Sequence, residues 1–512
     1  MRNEEVAGAE LADGASRHAD DSRGSGRRLM QSSTPIYDLV VIGSGMAGLA
    51  AARYAVDNGL ENVVVVEGRE RIGGRTFTVP LNISLPADAP APAAIDLGAA
   101  WIHGVGNANT APNPMVSLST KAGLPVLKVT ARDESFGPQG LPDSDAWDKA
   151  YTAMSEEFPD YLERYADGDV ASMRPNDRDS VNNVLGRFVA ERRPPLTQLQ
   201  KDALIQYVQT EFVLEYADDL SQLSARYIYE DRNWGGPDAL PGRGFSALVR
   251  HLSAGLDIRL RSKVDVLDYS FTRPEAQRRY VLVSGTNTST GRPFTLAAKY
   301  VINTMPLGYL QAQLTKPAPN LFRPALRPAQ SAAIMSFGMG LLQKVILVWP
   351  DASWWEELIT TPWVAIRNPA QPGAFSEYYN LAATPAELPV LICFNGGSIA
   401  RNVEASMNDS AIVSRALAPL QRLLAPSGRR LPPPAQALVT RWGADPWTRG
   451  AYSFIKAGAR ANARAAAFAP LAGGRLLFAG EHTHADYPST VHGAYLSGLG
   501  AAEAVVDALA DR

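Results

Sequence analysis

Short apolar runs, each cut off by glycine or proline, set the rhythm of this chain. The first is residues 39–42, a mostly β-branched run that suits a strand buried on both faces. It leads into Gly43-Ser44-Gly45-Met46-Ala47-Gly48, after which apolar positions keep a helical spacing as far as Gly59. Residues 63–66 are consecutive valines, again a buried strand, and Glu67 stands at their end. Further strands are expected at 259–266, 279–284 and 298–303, the last stopped by Met305-Pro306, then at 345–349, 363–366 and 390–394, with 475–478 closing the series. Residues 115–220 read as mostly helical, most clearly in KDALIQYVQTEFVLEYADDL. Residues 80–94 are a Pro/Ala loop, 242–258 a turn and helix, and 491–510 a Gly/Ala-rich helix.

Strand, G-x-G-x-x-G loop, helix, second strand and terminal acid together make a dinucleotide-binding unit. Gly43 permits the tight turn, Gly45 lets backbone approach a pyrophosphate, and Gly48 lets the helix pack close to the strand. The helix opening at Met46 and Ala47 offers free N–H groups to phosphate charge. Glu67 falls where an acid bonds a ribose hydroxyl, which suits an unphosphorylated ribose. Arg71-Ile72-Gly73-Gly74-Arg75-Thr76 follows at once, a second glycine pair that a nicotinamide unit does not need. With Arg69, Gly74 and Arg75 counted to the site, FAD is the expected cofactor.

Residues 475–500, RLLFAGEHTHADYPSTVHGAYLSGLG, read as the other half of the same site, so sequence-distant pieces must share one sheet. The expected fold is α/β, an FAD-binding fold of the two-dinucleotide-binding-domain (Rossmann-like) type with an interleaved α+β substrate domain. The expected order is a disordered tail over 1–34, FAD-binding parts at 35–114, 221–305 and 441–512, a helical substrate part at 115–220 and a mixed one at 306–440. No internal repeat is present.

A chain of 512 residues, 46% hydrophobic, can bury a large core in more than one domain. Its net charge of −3 gives no reason to expect nucleic acid or an anionic membrane. No apolar run approaches the roughly 20 residues of a spanning helix. The single cysteine, Cys393, leaves no internal disulfide and suits a reducing compartment. Residues 1–34 lack the apolar core of a secretory signal and carry acids unlike a transit peptide, and the chain does not end in S-K-L. An intracellular, cytoplasmic location is therefore expected. The oligomeric state is not legible.

The chain resembles the flavin-containing amine oxidase family, and its polyamine oxidase branch in particular, over nearly everything from Tyr37 to Ala508. The blocks that carry the resemblance are GSGMAG with RIGGRT, GAAWIHG, PGRGFSALV, KVDVLDY, QKVILVW, RWGADPWTRGAYSFIKAG and FAGEHTHADYPSTVHGAYLSG. The last two are also similar to lysine-specific histone demethylases. The resemblance implies that Glu67, Arg75 and Glu481 hold ribose and phosphate oxygens and that Val264 meets the adenine through its backbone. It implies that Gly98, Ala99 and Trp101 line the isoalloxazine, with Thr490 and Val491 reaching it from the C-terminal loop. Trp447 and Tyr452 would wall the substrate cavity, Trp447 also touching the cofactor, and Lys344 would hold a water near the flavin N5.

Glu215 matches a carboxylate facing a substrate's distal ammonium, or is a solvated helix charge beside Asp218 and Asp219. His103 is a cavity residue, or a satisfied core histidine. Thr490 stands where a second cage aromatic often lies, and Ala451 where monoamine oxidases attach FAD through cysteine, so non-covalent FAD is expected. His482, His484 and His492 read as parts of a cofactor loop, and no metal is expected.

The implied chemistry is oxidation of a small amine, a polyamine first, with O₂ as acceptor and hydrogen peroxide as product. An alkylamine has a pKa near 10, so the site must select the neutral form, which a desolvated aromatic pocket does. An L-amino-acid oxidase would want an arginine clamp on a carboxylate, and none stands out at a cavity block. The same blocks leave room for a peptidyl-lysine demethylase or a non-catalytic flavoprotein.

Overall fold

The computed structural model describes residues 35–85, 89, 92–130, 132–169, 174–270, 280–316 and 320–511. The tail expected over 1–34 lies outside them.

The strand Ile36–Ile42 pairs in parallel with Val63–Val66 on one side and with Pro293–Asn303 on the other. Each is apolar where they pair because both faces are covered. Val40, Ile42, Val64 and Val66 face one core, while Leu39, Val41, Val63 and Val65 face another. The sheet runs Phe322–Arg323, Ser262–Asp268, Val281–Asn287, Pro293–Asn303, Ile36–Ile42, Val63–Val66, Ile258–Arg259. Pro293–Asn303 is long enough to pair twice along one edge: its first half takes Val281–Asn287 antiparallel, and its last residues take Leu476–Phe478 in parallel. Pieces from the start, middle and end of the chain thus share one sheet. Phe322–Arg323 belongs to it too, although the sequence boundary at 305 assigns these residues to the substrate part.

Helices Met46–Asp57 and Val491–Ala510 cover one face and touch closely, since a Cβ on Gly498 would stand 2.1 Å from the Ala47 carbonyl oxygen. The run expected as one strand over 259–266 is two, Ile258–Arg259 and Ser262–Asp268, separated where Arg261 takes a positive φ of 58°.

A second sheet orders Gln436–Val439, Leu342–Val348, Val390–Gly396, Glu377–Asn380, Trp363–Ile366 and Asp133–Phe136. Its last strand comes from the segment read as mostly helical, which also supplies Val126–Lys128, paired with Ala239–Pro241. These strands are too short and too polar to announce themselves by periodicity. The helices Asp145–Asp167, Val181–Glu191 and Gln198–Val208 are as expected. Gln198–Val208 continues into a π-helical turn, Gln209–Leu214, which ends beside Glu215. No helix among the described residues is long and apolar enough to cross a membrane.

Candidate active site

One cavity of about 1620 Å³ runs from the glycine loops of the first sheet across the face of the second. At its nucleotide end, Gly43 has a φ of 98°, and a Cβ on Gly48 would lie 1.9 Å from the Gly43 carbonyl oxygen. Gly48 is therefore demanded by the loop's own carbonyl as the helix begins. A Cβ on Gly45 meets nothing within 4 Å, so the loop backbone lies open to the cavity. The second glycine pair lies along the first loop: Gly73 N–H donates to the Ser44 carbonyl at 2.8 Å, and Gly45 and Gly73 form a parallel bridge.

Glu67 is buried and accepts from the Ser44 N–H and hydroxyl (2.8 and 2.9 Å) and from the Arg69 N–H (2.8 Å). Arg69 itself is held bidentately by Asp445 at 2.8 and 2.7 Å, which ties the first segment of the sheet domain to the last. Arg75 donates to the Ala451 carbonyl (2.8 Å) and to Glu481 Oε1 (2.9 Å). Glu481 Oε2 accepts from the Ser453 hydroxyl (2.6 Å) and the Ser489 N–H (3.0 Å). Burial pushes the Glu481 carboxyl up, but Arg75, the adjacent His482 and the Ser453 and Arg75 hydrogen bonds outweigh it and bring the pKa down to about 2. Met46, Ala47, Val264, Gly74, Ala99 and Val491 all line the cavity.

Trp447, expected both at the cofactor and in the substrate wall, stands at the nucleotide end of the cavity. Its ring lies over Gly68, where a Cβ would be 2.2 Å away, and stacks on Tyr309 at 5.9 Å, so it walls the nucleotide end beside Glu67. Tyr452 stands apart from it, its hydroxyl donating to the Leu214 carbonyl at 2.8 Å next to Glu215.

In the middle of the cavity, the Lys344 ammonium donates to the Gly98 carbonyl (2.6 Å) and the Asp96 carbonyl (3.3 Å) and lies 5.0 Å from the Trp101 ring centre. Burial lowers its pKa to about 8, with Asp96 pulling the other way. Asp96, which the sequence did not single out, is raised to about 6 by the same burial despite its bond from Thr78. Gly98 has no room for a side chain, because a Cβ would stand 1.7 Å from the Arg75 carbonyl. Trp101 is braced by Trp363 (5.8 Å, stacked) and Tyr379 (5.1 Å, edge-on). Thr490 caps the last helix: its hydroxyl accepts from Gly493 N–H and donates to the Tyr487 carbonyl, both at 2.9 Å.

Beyond Tyr452 the lining turns acidic, with Asp133, Glu134, Glu211, Glu215, Asp231, Asp238 and Glu377. His103 is half exposed there, with Nδ1 3.2 Å from Asp238. Against desolvation, that bond and the nearby Glu215 charge hold its imidazolium above the usual range. Two lining arginines are engaged by acids, Arg367 by Asp143 and Arg232 by Asp486. Of the C-terminal histidines, His482 is buried against Phe468, whereas His484 and His492 flank Tyr487. The sequence missed Asp238, Glu211, Asp133 and Glu377 as lining residues, and Asp96 as a partner of Lys344; the signal at Asp96 was its place two residues before Gly98 in the IDLGAAWIHG block.

The glycine loops, the open backbone at Gly45, and the buried Glu67 carboxylate are the parts a dinucleotide needs, and the cavity is large enough for a flavin with substrate. The model of the family described as flavin containing amine oxidoreductase matches residues 46–506. Polyamine oxidase 4 of Oryza sativa subsp. japonica is 30% identical over 471 residues, covering 91% of this chain and 88% of that protein. Polyamine oxidase 2 of Arabidopsis thaliana is 29% identical, covering 91% and 87%. A lysine-specific histone demethylase 1 homolog 3 of the same rice is 31% identical over 480 residues, but these cover only 54% of its length. Among solved structures, a putrescine oxidase bound to putrescine superimposes with a TM-score of 0.67 over 93% of this chain and all of that one, at 19% identity, which speaks for the fold. The chain belongs to the flavin-containing amine oxidase family, as an oxidoreductase acting on carbon–nitrogen bonds and related to the polyamine oxidases.

Proposed function

We propose that this protein is an FAD-dependent polyamine oxidase that binds FAD without a covalent link. The observation that carries the substrate class is the acidic wall beyond Tyr452, where Glu215 and Glu211 line the cavity and enter no ion pair among the described residues. Uncompensated carboxylates repel one another, and a ligand bearing several ammonium groups relieves that repulsion. Arg367 and Arg232 are already held by acids, and Arg132, a lining arginine with no ion pair among the described residues, is outnumbered by the carboxylates around it, so the cavity favours a cation over an amino-acid carboxylate. The relatives named as polyamine oxidases agree with this reading.

Glu67 and the Gly43–Gly48 loop would hold ribose and pyrophosphate, and Arg75 with Glu481 the phosphate side. Bound FAD supplies the two-electron acceptor for the carbon–nitrogen bond, with O₂ as the final acceptor and hydrogen peroxide as product. The chain's own work is to orient and to select protonation state. The aromatic walls around Tyr452 and Trp101 exclude water from the reacting nitrogen, which favours the neutral amine. Lys344, fixed by the Gly98 and Asp96 carbonyls, places a cation at the centre of the cavity. The amine oxidised at its carbon–nitrogen bond would be an imine, which water would hydrolyse to an aldehyde and a shorter amine. Ala451 offers no sulfur for a covalent bond to the cofactor.

The test is peroxide release from the yellow holoenzyme given spermine, a monoamine, an L-amino acid or a methyl-lysine peptide. Spermine should give the highest kcat/KM, and acid precipitation should leave the flavin in solution. A higher value for the amino acid or the peptide replaces the polyamine reading.

A further inference from the structure

The second sheet presents one row of side chains to the cavity. Across its strands the pairing runs Lys344, Phe394, Glu377, Ala365, Ser135, and all five line the cavity. Residues paired this way project from the same face. Lys344 and Glu377 are two strands apart, about 10 Å at the usual strand spacing.

Glu377 is an unusual occupant of that row. Only 4% of its surface is exposed, in the interior of a sheet. Its Oε1 accepts from Gln206 Nε2 (2.7 Å) and the Thr210 hydroxyl (2.9 Å), while Oε2 takes no hydrogen bond among the described residues. Both donors lie around the start of the π-helical turn Gln209–Leu214, a kind of turn that recurs at functional sites. Burial, with the Glu211 and Asp133 charges adding to it, raises the Glu377 pKa to about 8, so near pH 7 the side chain is largely protonated until a cation stands beside it and draws it into ionisation. Neither Glu211 nor Asp133 is ion-paired among the described residues. Glu211 in turn feels Glu215, which acts on Tyr452 and His103. Glu211, Glu215, Glu377 and Asp133 all line the one cavity, Glu215 next to the Leu214 carbonyl that Tyr452 bonds.

We propose that Glu377, with Glu211 and Asp133, forms a second ammonium subsite about 10 Å along the sheet from Lys344, so that the preferred substrates carry three or more nitrogens on an extended chain. This rests on the polyamine reading above and adds a length requirement to it. Glu215 meets the nearer charge, and Glu377 takes the farther one with the oxygen that accepts no hydrogen bond among the described residues. Phe394, between Lys344 and Glu377 in the row, gives the intervening methylene chain an apolar surface.

The experiment compares spermine with putrescine, whose two nitrogens are too close together to reach both ends of the row. Glu377→Gln in the holoenzyme should raise KM for spermine about thirtyfold, the loss expected when a desolvated charge pair loses one partner. The kcat for spermine and the KM for putrescine should stay put. An equal change for both amines, or none for spermine, overturns the subsite. Should Glu377→Gln lose its flavin, Glu211→Gln on the more exposed side of the cluster decides by the same comparison. Should neither amine reduce the flavin, the polyamine oxidase reading falls, and calorimetric titration of spermine into wild type and Glu377→Gln still decides the subsite: equal affinities overturn it.

Discussion

At the scale of single residues, two glycines of one loop do different work. A methyl group on Gly48 would stand 1.9 Å from the Gly43 carbonyl oxygen, a backbone atom that cannot swing aside. A methyl group on Gly45 would meet nothing within 4 Å in the protein and would project from backbone that a pyrophosphate must approach. The two alanine variants should therefore separate folding from cofactor binding. Gly48→Ala should lower the Tm of the apoprotein, and its FAD binding with it. Gly45→Ala should leave the apoprotein Tm near the wild-type value while weakening FAD binding by roughly 1–3 kcal/mol, as expected of overpacking at one contact. Fluorescence titration of FAD into each apoprotein, beside its melting curve, checks both. Equal FAD affinity in Gly45→Ala and wild type would show that the pyrophosphate does not pass that backbone.

At the scale of elements, helix-to-helix contact fixes the nucleotide end. Gly498 faces the Ala47 carbonyl across 2.1 Å of potential Cβ contact, whereas Gly500, two residues on, meets nothing within 4 Å. Gly498→Ala should push Val491–Ala510 away from Met46–Asp57 and lower both Tm and FAD affinity. Gly500→Ala should raise the Tm slightly, since alanine in an open helix interior is worth about 1 kcal/mol over glycine. A matching loss in both variants would mean that helix propensity, and not the close approach, governs the pair. Elements of this kind were legible because burial on both faces leaves a continuous apolar run, as in residues 63–66, and close packing leaves small residues, as in 491–510. The acidic row was not legible. Glu377 and Asp133 open short strands with sheet neighbours far away in sequence, and the register between such strands is written in no single stretch of chain. The end of the cavity that Trp447 takes was illegible for a related reason: its block names it, but the turn around Asp445 decides that its ring points to Gly68.

At the scale of the whole molecule, the first and last pieces of the chain meet at one carboxylate. Glu481 bonds Arg75 from the opening segment and Ser453 and Ser489 from the closing one. It is buried, so its charge is tolerable only while those partners stay in place. Unfolded, this carboxyl titrates near 4.5; folded, it is held down to about 2, the cost of burial being outweighed by Arg75, His482 and the hydrogen bonds. Between those values the unfolded chain binds more protons, so the stability that Glu481 contributes is complete above this window and is lost as pH falls through it. Glu481→Gln keeps the shape but removes the charge, and it should lower the Tm at pH 7. As the pH drops from 4.5 towards 2, the gap between wild type and variant should close, because protonation carries the wild type to the same neutral state. Melting curves of the apoprotein across that range read the effect directly. Curves that stay parallel would mean that Glu481 acts through packing alone, and that the joint between the two ends of the chain does not depend on its charge.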